Sequence, residues 1–405
     1  MSTKQIVAAG LDIGSTRTRC MIALLDGNER FHYLGHGSVP SQGWARGRIV
    51  DQEAVSRCVT AAVELAEREA QTSTETVVAG VGGLTIRGAN SRGRIDLGRP
   101  REIQQHDINA AMKRVLKVQM QEDRMILQVL PQDFVVDDHP GFHDPRHMLG
   151  SVLEANAHLV TMSAQEHNNL VGAINRSHLS VDETVHEAIA ACYASVLPED
   201  RHEGVALVDI GQHSTELVCY YGEATQLVSS LKICGDHFSR DLSHALRISL
   251  DAAAVVKEEF GSAVAVGTAE NSTVELPHAG DDGREARDAR EAPRRLINEI
   301  LESRAVELFE MVKADLTRVG MQRALSNGLV ITGAGALLPG ICDVAERVLD
   351  CPARIGLAQG IKNWPETLND PSWTTVAGLS MYAARLRSQV DVEKQSIGVL
   401  GRLLR

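Results

Sequence analysis

Two aspartates occupy the same local frame half a chain apart, Asp12 in Asp12-Ile13-Gly14 and Asp209 in Asp209-Ile210-Gly211. An acid at a strand end can hold Mg²⁺ directly or through water, and the ion neutralises phosphate charge. The tight turn after such an acid directs backbone N–H groups to one side, where phosphate oxygens accept them. Glycine permits close approach and Ser or Thr adds a hydroxyl donor, so Gly14, Ser15 and Thr16 suit a phosphate. A third turn, Thr332-Gly333-Ala334-Gly335, follows the apolar run Leu329-Val330-Ile331 and could lie flat against a nucleoside or its α-phosphate. Asp-x-Gly alone is ordinary turn chemistry. The order, strand context and spacing of the three turns together point to two related lobes holding a metal-nucleotide between them.

Strand-type runs must carry these turns. Ile6–Leu11 enters the first and Cys20–Leu25 leaves it; Val205–Val208 and Leu217–Tyr220 flank the second. Strand and helix patterns alternate elsewhere, which favours α/β lobes. Helical spacing predicts helices over 51–70, with Asp51 as N-cap, and over 106–119, 164–177 and 187–196. Strands are predicted over 77–81, 126–130 and 134–137. The small, charged stretch 279–291 reads as a solvated, mobile loop.

With 405 residues the chain exceeds one ordinary core, and 43% apolar content suits a globular protein. A net charge of −12 argues against a fold-wide affinity for nucleic acid. Seven scattered cysteines without a Cys-x-x-Cys pair read as reduced, mostly buried thiols. No signal peptide and no run of eighteen apolar residues is found, so no segment is expected to span a membrane.

The three turns resemble the phosphate-one, phosphate-two and adenosine loops of the actin-like ATPase superfamily. Further motifs resemble the FtsA family of bacterial cell division proteins: Pro40 to Asp51, Asn90-Ser91-Arg92-Gly93, Pro131 to Asp137, Asp144 to Gly150, Gly235 to Leu242 and Asp370 to Leu379. The resemblance spans residues 6 to 385. It implies an α/β, two-lobed actin-like fold built from duplicated RNase H-type domains, with an FtsA-type subdomain IC. The implied boundaries are 1–86 and 159–200 for subdomain IA, and 87–158 for IC, which meets partners and other copies. Subdomain IIA takes 201–240 and 325–385. IIB takes 241–324, the FtsZ-tail site, with the mobile loop at 279–293. Residues 386–405 form a linker and a membrane-targeting tail.

By the same resemblance the nucleotide-binding residues are Gly14, Ser15, Thr16, Gly211, Gln212, His213, Ser214, Thr215, Lys257, Gly333, Ala334 and Gly335. Asp12 and Asp209 would hold Mg through water, and Glu187 would orient a water for ATP hydrolysis. The implied cofactors are therefore ATP and Mg. The second loop departs from the pattern, since Gln212 and His213 stand where the family has two glycines. Their side chains could block phosphate, strain a position needing φ > 0, or act as polar donors. Ala334 stands where glycine is usual, a milder change, and Ala254 stands where the family generally has glutamate. Nucleotide binding is expected to persist but weakly, with at most slow ATPase activity.

His139, His143 and His147 lie near Asp137, Asp138 and Asp144, but Pro140, Gly141 and Pro145 break the helix that would align them as metal ligands. At the C-terminal end, Ile397, Val399, Leu400, Leu403 and Leu404 fall within one roughly 160° helical arc, opposite Lys394, Arg402 and Arg405. Such a face suits an anionic membrane surface. Gly398 and Gly401 weaken the short helix, so it is expected to fold on contact. The function so implied is an ATP-binding protein on the cytoplasmic face of the inner membrane at the division site. It would polymerise, tether FtsZ through that protein's C-terminal tail and recruit later divisome membrane proteins. The alternatives are a PilM-like scaffold of a pilus or secretion machine, and a small-molecule kinase of the same superfamily.

Overall fold

The computed structural model describes residues 5–277 and 290–403, with side chains as far as residue 389. The chain opens with β1 (Ile6–Ile13) and β2 (Arg17–Leu25), an antiparallel hairpin whose turn holds Gly14–Thr16. β3 (Phe31–Pro40) extends it, and a small hairpin of β4 (Trp44–Ala45) and β5 (Arg48–Ile49) leads into α1 (Gln52–Ala70). The Asp51 carboxylate accepts the N–H groups of Glu53 and Ala54, capping α1 as expected. Val55, Val59, Ala62 and Ala66 recur at helical spacing and bury one α1 face against β2 and β3. β6 (Thr76–Val81) then lies parallel to β1.

An excursion follows through β7 (Arg87–Glu102), α2 (Gln105–Val115), β8 (Arg124–Val136), β9 (His139–Phe142) and β10 (Leu149–Ser163). It carries its own apolar cluster around Ile103, Phe134, Leu153 and Leu159. Two separate strands were expected over 126–137, whereas β8 runs through both. Pro131 has no N–H to give the ladder, and the register against β10 shifts beside it, so a bulge absorbs the proline. The chain returns by α3 (Ala164–Arg176), β11 (Ser180–His186) and α4 (Glu187–Ser195).

After α5 (Pro198–Glu203) the pattern repeats. β12 (Val205–Ile210), β13 (Thr215–Tyr221) and β14 (Ala224–Leu231) are antiparallel neighbours. Helices α6 (Gly235–Leu246) and α7 (Leu250–Phe260), the pair β15 (Thr273–Glu275) and β16 (Glu291–Pro293), and helix α8 (Arg294–Arg318) follow. β17 (Leu329–Thr332), α9 (Ile341–Leu349) and β18 (Ala353–Ile355) complete the unit. The expected loop at 279–293 is therefore strand over its last three residues; positions 279–289 lie outside the described residues.

The duplication is visible in the strand orders, β3-β2-β1-β6-β11 and β14-β13-β12-β17-β18. In each, three strands are antiparallel and the two beyond β1 or β12 are parallel. This is the two-lobed actin-like arrangement of RNase H-type units. β12 is apolar from Val205 to Val208, where both faces are covered, and each such buried large aliphatic side chain contributes about 1.5–3 kcal/mol. The excursion joins the second sheet, where Arg87 pairs with Ser229.

Residues 325–385 were expected to belong wholly to the second lobe. Instead β19 (Ile361–Lys362) pairs with β3, and α10 (Thr374–Leu403) packs Val376, Ala377, Leu379 and Ala383 into the first lobe's core. The crossing follows from burial, since these apolar residues would otherwise face solvent. α10 also continues through the expected linker. The side chains of Ile397, Leu400, Arg402 and Leu403, and all of Leu404 and Arg405, lie outside the described residues. Among the described residues no helix is long and apolar enough to cross a membrane. All seven cysteines are unpaired and five are buried.

Candidate functional site

The two acidic turns face each other across the interlobe cleft. A cavity of about 430 Å³ there is lined by Asp12, Gly14, Ser15 and Thr16 from the first lobe. Asp209, Gly211 and Gln212, then Lys257 and Gly333 to Gly335, line it from the second, and Glu187 reaches it from the start of α4. A second cavity, about 520 Å³, adjoins it; Gly14, Ser15, Glu187, Gly211 and Gln212 border both. His213 and Ser214 line only the second. Thr215 borders neither: it is fully buried and its hydroxyl donates to the Ile233 carbonyl at 2.7 Å. The Thr215 side chain thus packs into the core rather than on the cavity wall, on a strand buried on both faces.

Charge is concentrated at the cleft floor. Burial raises the Asp12 carboxyl above its ordinary range, against the pull of Arg19, whose Nη1 lies 3.8 Å from Asp12 Oδ2. Burial pushes Asp209 up to about 6; the Thr375 hydroxyl, donating to Oδ2 at 2.7 Å, opposes this, while the charges of Asp12 and Glu216 add to it. Burial and then Asp12, Glu216 and Asp209 hold Glu187 well above the usual carboxylate range. These mutually repelling carboxyls fit a divalent cation, which would relieve the repulsion. Among the described residues no three His, Cys, Asp or Glu side chains could ligate a metal ion unaided. That donor set matches Mg²⁺, which uses one or two carboxylates and takes its remaining oxygens from water and phosphate. Such an ion would neutralise phosphate charge, and Glu187, at the start of α4, lines the same cavity.

The backbone explains how the loops reach the cavity. The Gly211 N–H donates to the Ser214 carbonyl at 3.0 Å, and the first amides of α6, Gly235 and Asp236, donate to the Gly211 and Gln212 carbonyls at 2.9 Å each. The second turn is thus tied to a helix N-terminus. Neither Gln212 nor His213 has a positive φ, so the backbone strain that was one possible cost of losing glycine is absent. Gly333 is different: it has φ 80°, and a Cβ there would collide with Asp209 and the Ile210 carbonyl. Ala334 begins a single turn of 3-10 helix without strain. Lys257 Nζ donates to Ser239 Oγ at 2.9 Å and to the Gly235 carbonyl at 3.3 Å, and burial lowers its proton affinity.

Among the contacts that cross between the lobes, two involve histidines beside the cleft. Ser15 Oγ and His213 Nδ1 are hydrogen-bonded at 2.7 Å, and burial lowers the proton affinity of His213, which favours the neutral ring. Deeper, His186 Nε2 meets Glu216 Oε2 at 3.2 Å with both side chains fully enclosed. Glu216 Oε1 also accepts the Gly83 N–H at 2.7 Å, and the His186 N–H donates to Gln128 of the excursion at 2.9 Å.

Sequence reasoning missed Arg19, Thr375 and the His186–Glu216 pair. Arg19 was within reach, because antiparallel pairing sets it opposite Asp12. Thr375 lay within the Asp370 to Leu379 motif, but nothing local tied it to Asp209. The histidine group separates, with His139 Nδ1 on the Asp137 carbonyl at 2.9 Å and His147 Nδ1 on Glu102 at 2.6 Å.

Comparison with known proteins bears on this geometry. Residues 83–161 match a family model described as the SHS2 domain inserted in FtsA, and residues 206–378 match one described as cell division protein FtsA. The chain is 31% identical to the FtsA protein of Borreliella burgdorferi, covering 94% of this chain and 91% of the relative. For the FtsA protein of Pseudomonas aeruginosa the identity is 31%, over 98% and 93%. For that of Escherichia coli K12 it is 26%, over 99% and 96%. Among solved structures the fold is similar to the PilM–PilN type IV pilus biogenesis complex, with TM-score 0.67 and 17% identity over 93% of this chain and 98% of that one. It is also similar to MreB5 of Spiroplasma citri bound to ADP, with TM-score 0.58 and 13% identity over 95% and 98%.

Proposed function

The chain belongs to the FtsA family of cell division proteins, and from that premise we propose that it is a membrane-bound scaffold governed by a magnesium nucleotide. The nucleotide lies in the 430 Å³ cavity, with its phosphates toward Gly14 to Thr16 and its nucleoside toward Lys257 and Gly333 to Gly335. Mg²⁺ is held between Asp12 and Asp209 through water. The observation that carries this reading is the facing of two buried acidic turns, produced by one strand order used twice. Glu187 stands where it could orient water, yet His213 beside Ser15 favours a scaffold over an efficient enzyme, with at most slow ATP hydrolysis.

The remaining roles follow from family membership. The protein polymerises on the cytoplasmic face of the cell membrane at the division site. The region 241–324 takes the FtsZ C-terminal tail, the excursion at 87–158 meets later divisome proteins and neighbouring copies, and the tail residues Ile397 to Arg405 grip anionic lipid. Burying four or five aliphatics at about 1.5–3 kcal/mol each could outweigh ordering that segment, and polymerisation would add the effect of many weak tails. A PilM-like pilus scaffold shares the fold, but the sequence relatives are division proteins. A small-molecule kinase would need turnover that rises with a small substrate. The test is sedimentation of the full chain with anionic vesicles and FtsZ. FtsZ should pellet with vesicles only when the protein is present, and a competing FtsZ C-terminal peptide should release it. Release of no FtsZ by the peptide would refute the tether.

A further inference from the structure

The interlobe cleft is two chambers, and the bond between Ser15 and His213 stands at their junction. Ser15 borders both chambers, whereas His213 borders only the one without Asp12, Asp209 and Lys257. Their 2.7 Å hydrogen bond spans the lobes and ties the first phosphate-type turn to the second. The ring is also seated from behind. Gly47, in the β4–β5 turn with φ +74°, would carry its Cβ 3.1 Å from the His213 Cβ, so a larger residue there would press on the base of the His213 side chain. A phosphoryl group accepted between two hydrogen-bonding side chains holds them at least about 4–5 Å apart, even where both bond a single oxygen. Atoms in direct contact leave no such room.

We propose that His213 makes the resting cleft selective for nucleoside diphosphates, its imidazole holding the Ser15 hydroxyl that a terminal phosphoryl group would otherwise use. The inference rests on the nucleotide reading of the same cavity. A nucleoside lodged between Lys257 and Gly335 extends its phosphates toward Ser15, and the chain of phosphates must stop at the bridge. A triphosphate enters only when the Ser15–His213 bond opens and the ring leaves its seat over Gly47. The γ-phosphate is then read as separation of the two turns, which a glycine-only turn does not require.

Calorimetric titration of the full chain with Mg-ADP and with Mg-ATP tests this. The wild-type protein should bind Mg-ADP at least about tenfold more tightly than Mg-ATP, the weight of one to two hydrogen bonds. His213→Gly should bring the two affinities within about threefold of each other, and Ser15→Ala should move the ratio the same way by a smaller factor. Equal wild-type affinities would overturn the selectivity while leaving nucleotide binding intact; so would a ratio unchanged in both variants. If His213→Gly does not fold, the wild-type ratio and Ser15→Ala still decide. Binding of neither nucleotide to any form overturns the nucleotide reading, and this inference with it.

Discussion

Replacing Asp209 by Asn should make the metal-free protein more stable, although Asp209 lies at the centre of the proposed site. Burial, with the charges of Asp12 and Glu216, pushes its carboxyl from an ordinary 3.8 up to about 6. At 1.36 kcal/mol for each tenfold in proton affinity, that gap corresponds to about 3 kcal/mol. Asp209 borders a solvent-accessible cavity, which screens the penalty, so roughly 1.5–3 kcal/mol is expected. The sign follows from linkage. At pH values below 3.8 the carboxyl is protonated in both folded and unfolded chains and carries no penalty. Between 3.8 and about 6 the unfolded chain ionises while the folded one resists, so the folded state loses stability as pH rises. Above about 6 the loss is complete and constant. Asn cannot ionise, and its amide oxygen can still accept the Thr375 hydroxyl. Thermal unfolding from pH 4.5 to 7.5 without divalent cations should show Asp209→Asn melting a few degrees higher at pH 7.5. The difference should shrink toward pH 4.5. A variant that melts lower at pH 7.5, or a difference independent of pH, would refute the claim that Asp209 is a strained, cation-seeking carboxylate.

Thr375→Val removes the hydroxyl that aims Asp209 and leaves the fold's apolar contacts in place; Mg-nucleotide affinity should fall about five- to tenfold, read by calorimetry. His186→Ala removes one of the hydrogen bonds that hold the buried Glu216 carboxyl and should cost about 1–3 kcal/mol of stability, with Glu216→Gln in the same chain recovering part of it in denaturant melts. Truncation after residue 394 should abolish sedimentation with anionic vesicles and leave nucleotide binding unchanged; equal pelleting of the truncated chain would defeat the anchor.

Local chemistry made the scaffold readable in advance. Asp51 announced the start of α1, and the repeated Asp-Ile-Gly announced two lobes, because caps and turns are decided within a few residues. The crossing of α10 onto the first lobe was not readable, since helical spacing says which face is apolar but not which sheet will cover it. The same limit hid Thr375, which reaches Asp209 from 166 residues away, and the pairing of His186 with Glu216. Gln212 and His213 were legible as departures. Only the fold revealed that the backbone bears them without strain and that the His213 ring grips Ser15.

The central claim, one nucleotide clamp built from two unequal copies of one turn, is tested most directly by solving the structure with Mg-ADP. The nucleotide should lie in the 430 Å³ cavity, its phosphates on Gly14 to Thr16 and its nucleoside between Lys257 and Gly333 to Gly335, with a hydrated cation between Asp12 and Asp209. A nucleotide seated elsewhere, or an empty cavity at saturating Mg-ADP, would contradict the account.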